Sequence, residues 1–213
     1  MYHLFPLPKI SDFNKLLFEQ PTLKGLNVTI PYKTEILSYL DEISPQAADI
    51  GAVNTIKFAG GLLLGFNTDV YGFQHSLKAH LSEHHYNSTA LVLGTGGASK
   101  AVICALNELD IKHQSVSRKK TKGRLTYTDL NNEIVKRHLI IINTTPLGMS
   151  PEINSCPDIP YEFISKEHLL FDLVYNPPQT LFMKRGINSG ASVVNGLKML
   201  HLQAEKSWEI WQE

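Results

Sequence analysis

Two ionisable residues in the first third of the chain could move a proton, and each follows a predicted strand. Lys33 ends the run Asn27-Val28-Thr29-Ile30-Pro31-Tyr32-Lys33, in which 27–30 alternate like a strand and Pro31 suits the first position of a helix. The sequence therefore predicts a helix over 31–40 with Lys33 in its first turn. A cation there is disfavoured by about 0.3–1 kcal/mol, because the first-turn N–H groups carry partial positive charge. Such a lysine is either simply solvated or has a function.

Asp69 is the second candidate, after Gly65-Phe66-Asn67-Thr68, where either Thr68 or Asp69 could cap the next predicted helix. A lysine and a carboxylate at such junctions could act as a general acid and base, moving a proton to or from the oxygen on a carbon that is oxidised or reduced. Short polar side chains accompany them and suit a polyhydroxylated substrate, although each could be only a turn or cap residue. These are Asn27, Thr29, Asn54 and Asn67.

A glycine-rich turn near the middle of the chain has the setting of a dinucleotide-binding motif. Gly94-Thr95-Gly96-Gly97 follows the short apolar run 89–93 and precedes a predicted helix over 98–109. In this setting Gly94 permits the tight turn, Gly96 lets backbone N–H groups approach a pyrophosphate, and the helix N-terminus favours the anion. Ser99 replaces the third glycine of the usual fingerprint and is small enough for close packing. The motif predicts dinucleotide binding, with a plain tight turn as the alternative.

The residues after the second predicted strand favour NADP over NAD. An NAD site normally carries Asp or Glu here for the ribose 2′-hydroxyl, whereas an NADP site carries an arginine for the 2′-phosphate. The strand ends in Ser117-Arg118-Lys119-Lys120, with no acid. Arg118 can pair with the phosphate and stack on the adenine. The alternative is a solvated basic loop.

The elements that must position these residues change character near residue 88. Before it, strands and helices are mixed, with a helix over 12–19 capped by Ser11, a short helix from Ser44-Pro45 and a hairpin turning at 59–61. The polar span 78–88 reads as a linker.

After the linker, apolar runs alternate with helical patterns, which is typical of a parallel sheet covered on both faces. The runs are 89–93, 111–117, 139–142 and 169–174. A final helix over 197–211 has Leu200, Ala204, Trp208 and Trp211 on one face. We predict an α/β protein with a doubly wound Rossmann-type domain.

Composition excludes several classes of function. Among 213 residues, 20 Lys and Arg balance 20 Asp and Glu, so no basic field suggests nucleic acid and a small molecule is the expected partner. Cys104 and Cys156 fit neither a disulfide framework nor a metal site, which suits a reducing cytoplasm. No apolar run approaches the ~20 residues of a membrane span. We interpret His80, His84 and His85 as solvated linker residues, and expect no metal.

Six motifs in this order resemble the shikimate dehydrogenase family, over a span from near Tyr2 to Trp211. They are the Lys33 run and Gly51-Ala52-Val53-Asn54-Thr55, Gly65-Phe66-Asn67-Thr68-Asp69, Gly94-Thr95-Gly96-Gly97-Ala98-Ser99-Lys100-Ala101, Asn143-Thr144-Thr145-Pro146-Leu147-Gly148-Met149 and Asp172-Leu173-Val174-Tyr175-Asn176-Pro177. The resemblance implies NADP-dependent interconversion of 3-dehydroshikimate and shikimate, a step of the shikimate pathway that leads to chorismate and the aromatic amino acids. The protein would be a cytoplasmic monomer or homodimer.

The resemblance also implies residue roles. Lys33 and Asp69 would form the catalytic pair. Substrate ring hydroxyls would be bound by Asn27, Thr29, Asn54 and Gln203, with Tyr175 near the substrate. NADP would contact Gly94, Gly96, Gly97, Ala98 and Ser99 through its pyrophosphate, Arg118 through its 2′-phosphate, and Thr144, Thr145, Leu173 and Gly196 on the nicotinamide side. The family usually has Asn-Arg-Thr where this chain has Ser117-Arg118-Lys119.

The resemblance implies a substrate domain over 1–87 and 196–213, completed by the returning last helix, and an NADP domain over 88–195. Family members begin with a further strand, a Ser-x-Ser segment that grips the substrate carboxylate, and a helix, and the resemblance implies that this chain lacks all three. An artificially shortened chain, a start codon assigned too late and a naturally short homologue all explain this. We expect an incomplete substrate domain and impaired activity; the alternatives are a non-catalytic NADP-binding fragment and an NAD-dependent quinate dehydrogenase.

Overall fold

The computed structural model describes residues 2–213, which form two compact units. The first comprises the chain up to Thr68 together with Lys206–Glu213, and the second is Asp69–Glu205. The boundary between the two compact units therefore lies directly after Thr68, before the predicted linker over 78–88. The functional division into 1–87 with 196–213 and 88–195 stays a prediction.

The first unit is built on a mixed four-stranded sheet. Its strands are β1 (Gly25–Asn27), β2 (Glu42–Ile43), β3 (Thr55–Ala59) and β4 (Leu62–Phe66), in the spatial order β1-β3-β4-β2. The pairs β1–β3 and β3–β4 are antiparallel, and β2–β4 is parallel. Helices α1 (Phe13–Glu19) and α2 (Pro45–Ile50) cover it, and the core contains Phe13, Ile36, Ala47, Val53 and Ile56.

Local signals in this unit were partly right. Ser44 caps α2 through the backbone N–H of Ala47, and the hairpin turns at Gly60 and Gly61, as predicted. The Ser11 cap is wrong, because a 3₁₀ turn over Ile10–Asp12 leads into α1 and no side chain caps that helix. Residues 2–5 form no helix or strand, and Met1 lies outside the described residues.

The predicted helix over 31–40 is also wrong. Only Glu35–Tyr39 is helical, as a 3₁₀ turn, and Lys33 lies in the turn before it. The backbone N–H of Val53 donates to the carbonyl of Lys33 at 2.7 Å, so that carbonyl is engaged outside the helix. A long-range backbone hydrogen bond therefore overrides the local helical pattern.

The second unit is a six-stranded parallel sheet with helices. The strands are β5 (Thr89–Leu93), β6 (Lys112–Ser117), β7 (Leu125–Thr126), β8 (Ile140–Asn143), β9 (Leu169–Asp172) and β10 (Ser192–Val194). The helices are α3 (Asp69–Lys78), α4 (Glu83–Tyr86), α5 (Gly97–Glu108), α6 (Asn132–Arg137), α7 (Leu181–Asn188) and the first half of α8 (Leu197–Gln212). The strand order β10-β9-β8-β5-β6-β7 is the doubly wound order, with its reversal between β5 and β8. The predicted Rossmann-type domain is confirmed.

Four of the six strands, β5, β6, β8 and β9, match the predicted apolar runs, whereas β7 and β10 correspond to no predicted run. Every residue of β8 and β9 is buried, as in a sheet covered on both faces. The linker prediction for 78–88 was partly wrong, since it contains α4. His85 there is 5% exposed rather than solvated, and its Nδ1 accepts the backbone N–H of Ser82 at 3.1 Å.

The last helix, α8, returns to the first unit as predicted. Its final residues pack on the first sheet, where the Trp211 indole N–H donates to the carbonyl of Ile56 at 2.9 Å. The predicted apolar face is wrong, because Met199, Ser207 and Ile210 are buried while Trp208 is 62% exposed. The spacing of apolar residues does not predict this face, because its most buried residue is Ser207. No helix within residues 2–213 is long and apolar enough to cross a membrane.

Candidate active site

Lys33 is half-buried in the first unit, in the turn between β1 and the 3₁₀ segment. Its carbonyl bond to the N–H of Val53 anchors the backbone at this point, one residue before the buried Asn54. Thr29 is exposed four residues earlier. The predicted lysine is therefore tied by its backbone to the segment that carries a predicted substrate residue.

Asn27 and Asn54 are brought together by hydrogen bonds within a group of buried and partly buried polar residues. The Nδ2 atom of Asn27 donates to the carbonyl of Asn54 at 3.2 Å and to the hydroxyl of Ser207 at 2.9 Å. Thr55 and Thr68 join the same group. We call these five residues, Asn27, Asn54, Thr55, Thr68 and Ser207, the polar cluster.

Sequence reasoning missed Ser207 and Thr55 and treated Thr68 only as a helix cap. One signal could have found Ser207, since it lies four residues after Gln203 on α8 and so faces the same side of that helix. A polar residue one turn beyond a predicted substrate residue was therefore worth testing.

Asp69 and Gln203 lie on packed helices of the second unit. Asp69 begins α3 and is 8% exposed. Three residues later, a Cβ atom added at Gly72 would lie 2.6 Å from the carbonyl of Met199 and 3.0 Å from the Cβ of Gln203 on α8. Only a glycine allows this approach, which places Asp69 one turn from the contact with Gln203.

Three predicted cofactor residues meet where the strand order reverses. Gly94, after β5, has φ +108°, and a Cβ added there would lie 2.8 Å from the Oγ1 of Thr144 and 3.0 Å from the Cγ2 of Thr145. Thr144 and Thr145 follow β8, and the hydroxyl of Thr144 donates to the carbonyl of Leu93 at 2.7 Å. Ligands of doubly wound sheets bind at this crevice.

The start of α5 is suited to an anion. No side chain caps it, so its first N–H groups are not satisfied by a cap. Gly96 and Gly97 are exposed, and a Cβ added at either would have no other protein atom within 4 Å. Packing within the protein does not require these glycines, whereas close approach of a pyrophosphate would. Ala98 is half-buried, and the buried Ser99 donates to the carbonyl of Gly96 at 2.7 Å.

Arg118 is exposed directly after β6, at the same edge of the sheet. The hydroxyl of Ser117 donates to the carbonyl of Lys119 at 2.6 Å and so fixes the backbone around Arg118. Burial raises the pKa of the nearby Tyr127, and the Arg118 guanidinium partly opposes that rise. The residues present fit a phosphate group on an adenosine ribose.

Leu173 and Gly196 also lie together. A Cβ added at Gly196 would overlap the carbonyl of Leu173, and the N–H of Gly196 donates to the carbonyl of Val174 at 3.2 Å. Tyr175 is 46% exposed two residues after Leu173. Close contact between the backbone at Gly196 and the backbone of Leu173 and Val174 therefore shapes the edge of the sheet after β9 and β10.

Buried polar groups hold the ends of β8 and β9. Asn143 donates to Asp172 at 2.9 Å and accepts the N–H of Thr145 at 3.0 Å, and Asp172 also accepts from Thr180 and from the N–H of Val174. Burial raises the pKa of Asp172 to about 6, against the effect of these hydrogen bonds. Within residues 2–213, no cluster of three or more His, Cys, Asp or Glu side chains could hold a metal ion.

Comparison with known proteins assigns the family. Residues 1–56 match the shikimate dehydrogenase substrate binding domain. The shikimate dehydrogenase (NADP(+)) of Methanococcus aeolicus is 41% identical over 202 residues, which cover 88% of this chain and 72% of that protein. The chain belongs to the shikimate dehydrogenase family.

Two solved structures extend the likeness to the fold. The chorismate mutase/shikimate 5-dehydrogenase fusion protein of Clostridium acetobutylicum has a TM-score of 0.84 and 38% identity, covering 97% of this chain and 78% of that one. The shikimate 5-dehydrogenase of Thermus thermophilus, solved with NADP(H) and shikimate, has a TM-score of 0.83 and 32% identity, covering 97% and 79%. This shikimate dehydrogenase family member therefore shares most of its fold with an NADP- and shikimate-binding relative.

Proposed function

We propose that this chain catalyses the NADP-dependent, reversible reduction of 3-dehydroshikimate to shikimate. The meeting of Gly94, Thr144 and Thr145 at the strand-order reversal is the observation that supports the proposal most strongly, because ligands of doubly wound sheets bind at this position. Bound NADP would accept a hydride from the alcohol carbon of shikimate.

The remaining chemistry belongs to the side chains of the protein. Lys33 takes the hydroxyl proton as shikimate is oxidised and returns it in the reverse direction, with Asp69 as its partner. Asn27, Thr29, Asn54 and Gln203 hold the ring hydroxyls, and Tyr175 lies beside the substrate. Together these side chains bind and orient the substrate and move one proton at its reacting oxygen.

Cofactor contacts divide between backbone and side chains. Gly94, Gly96, Gly97, Ala98 and Ser99 hold the pyrophosphate, and Thr144, Thr145, Leu173 and Gly196 line the nicotinamide side. Arg118 pairs with the 2′-phosphate, which supports NADP as the preferred cofactor over NAD.

The test is to mix the purified chain with shikimate and NADP and to follow the reduced cofactor by its absorbance. We expect turnover that saturates with shikimate, and quinate with NAD as the poorer combination. Intact NADP binding without turnover at any shikimate concentration would identify a non-catalytic NADP-binding chain. Faster turnover of quinate with NAD would instead identify a quinate dehydrogenase.

A further inference from the structure

Ser207 occupies an unusual position for a helical serine. It is 0% exposed on α8, and its hydroxyl lies 2.7 Å from the Oγ1 of Thr55, 3.1 Å from the Oγ1 of Thr68 and 2.9 Å from the Nδ2 of Asn27. A serine inside a helix usually faces water or bonds back to its own helix. Ser207 joins α8 to three side chains of the first sheet and its flanking segments.

The hydrogen bonds around Ser207 can be arranged as a closed ring that includes the Asn54 side chain. The backbone N–H of Thr68 lies 2.7 Å from Asn54, so the atom facing it must be the amide oxygen. The Nδ2 of Asn54 then donates to the hydroxyl of Thr68 at 3.0 Å. In one arrangement the hydroxyl of Thr68 donates to Ser207, that of Ser207 donates to Thr55, and that of Thr55 donates to the amide oxygen of Asn54 at 3.1 Å. In this order each hydroxyl both donates and accepts, which strengthens the ring.

The backbone carbonyl of Asn54 determines which end of the Asn27 amide faces inward. Its inner atom lies 3.2 Å from the backbone carbonyl of Asn54, which can only accept, so that atom is the nitrogen. The hydroxyl of Ser207, at 2.9 Å, is nearer to this nitrogen than the hydroxyl of Thr55, at 3.2 Å. The amide oxygen is left at the outer end, where it accepts the hydroxyl of the 72% exposed Tyr2 at 3.1 Å.

We propose that Ser207 is a positioning residue of the substrate site, holding Asn27 so that its amide oxygen accepts a hydroxyl of the substrate. This inference rests on the proposed function, in which Asn27 binds a ring hydroxyl. A substrate hydroxyl takes the place that the Tyr2 hydroxyl occupies in the structure. An amide oxygen accepts from a hydroxyl and repels a carbonyl oxygen, so the group held by Asn27 is a hydroxyl in both shikimate and 3-dehydroshikimate. It is therefore not the oxygen that is oxidised.

Ser207→Ala removes the nearest side-chain partner of the Asn27 nitrogen and leaves its bond to the Asn54 carbonyl. We expect the KM for shikimate to rise about fivefold to tenfold, with kcat and NADP affinity changed by less than about twofold. Ser76→Ala is the matched control, since Ser76 is 0% exposed on α3 and its hydroxyl has no partner within residues 2–213. That control is expected to leave the KM unchanged.

A double-mutant cycle separates positioning from general loosening of the fold. If Ser207 acts through Asn27, then Ser207→Ala has no further effect on KM in an Asn27→Ala background. Equal effects in both backgrounds, or an unchanged KM in Ser207→Ala, would overturn the proposal. Should Ser207→Ala not fold, Ser207→Cys keeps only a weak donor and acceptor at this position and is held to the same selective rise in KM.

A readout without activity keeps this inference separate from the proposed function. In ¹⁵N-labelled protein, the side-chain amide signal of Asn27 should shift and exchange faster in Ser207→Ala, while that of the exposed Asn87 stays unchanged. An Asn27 signal that does not respond overturns the positioning of Asn27 even if the enzyme turns over. If the wild-type chain neither binds nor oxidises shikimate, the proposed function and the substrate role of Ser207 fall together; a responding Asn27 signal then shows only a structural contact.

Discussion

The first unit, called here the substrate unit, and the second unit, Asp69–Glu205, called the nucleotide unit, form their candidate sites from different groups. At the nucleotide edge, glycines and backbone groups shape the crevice, and Gly94 must be a glycine because Thr144 and Thr145 lie against it. In the substrate unit, the polar cluster is made of side chains from four separate segments joined by hydrogen bonds. A site shaped by the backbone can be recognised from a short sequence motif, whereas a network of side chains depends on residues that are far apart in the sequence.

The largest expected effect is a loss of turnover that leaves NADP binding intact. Lys33→Ala should lower kcat by about 10²–10⁴-fold, because no other group is assigned to the proton at the reacting oxygen. The Kd for NADP, measured by fluorescence titration, should change little. Lys24→Ala, an exposed lysine in the same unit, is the control. Normal turnover of Lys33→Ala would remove this lysine from the mechanism.

Arg118→Ala is expected to affect the cofactor side alone. Loss of its charge-assisted hydrogen bonds to the 2′-phosphate should reduce the preference for NADP over NAD by roughly tenfold to a hundredfold. The measurement is the ratio of kcat/KM for the two cofactors. Lys122→Ala removes another exposed charge from the same loop and should leave the ratio unchanged. An unchanged ratio in Arg118→Ala would mean that Arg118 is only a solvated basic residue.

Two glycines only two residues apart should separate folding from binding. Gly94→Ala places a Cβ at φ +108° and 2.8 Å from Thr144, so we expect it to cost about 1–3 kcal/mol of unfolding free energy. Gly96→Ala has φ −80° and no other protein atom within 4 Å, so its stability should change by less than about 0.5 kcal/mol.

The same pair is compared by NADP titration. Gly96→Ala should bind NADP about tenfold more weakly, because its methyl group occupies the approach of the pyrophosphate. Thermal unfolding without ligand supplies the stability comparison. Full NADP affinity in Gly96→Ala would show that the cofactor does not approach the backbone there.

The smallest effect is a dependence of stability on pH in the nucleotide unit. Burial lowers the pKa of His85 and of His138 below the ordinary value, helped at His85 by the neighbouring His84 and at His138 by Arg137. Below about pH 6.5 the unfolded chain therefore binds more protons than the folded one, and stability falls as the pH falls. Asp172 acts in the opposite direction, because its pKa is raised to about 6; its contribution is present below about pH 4 and lost as the pH rises through 6.

Urea unfolding at about pH 7.5 and about pH 5.5 measures how the free energy of unfolding changes when the opposing effects of the histidines and Asp172 are combined. His85→Asn retains an acceptor for the N–H of Ser82 but cannot take up a proton, so its stability should fall less on acidification than that of the wild type. His80→Asn, at an exposed position, should behave as the wild type does. An equal fall in the wild type and His85→Asn would exclude His85 as a source of the dependence.

The sequence predicts the nucleotide unit better than the substrate unit for physical reasons. Buried parallel strands are continuous apolar runs, so β5, β8 and β9 are visible without the structure. The predicted helix around Lys33 is wrong because the carbonyl of Lys33 accepts a hydrogen bond from the N–H of Val53. Val53 lies twenty residues further along the chain, so no local sequence pattern indicates this bond. Ser207 was missed because a scale that counts apolar residues cannot show that a hydroxyl is buried. The roles assigned to the individual site residues stay predictions.

The separation of 180 residues between Asn27 and Ser207 has a consequence for synthesis. A ribosome makes the whole of 69–205 before Ser207 exists, so the nucleotide unit is complete in sequence while the substrate unit still lacks its closing segment. Domains generally fold as units as they emerge. The order of assembly during translation therefore places the parallel sheet first, and the polar cluster closes only when the end of α8 leaves the exit tunnel.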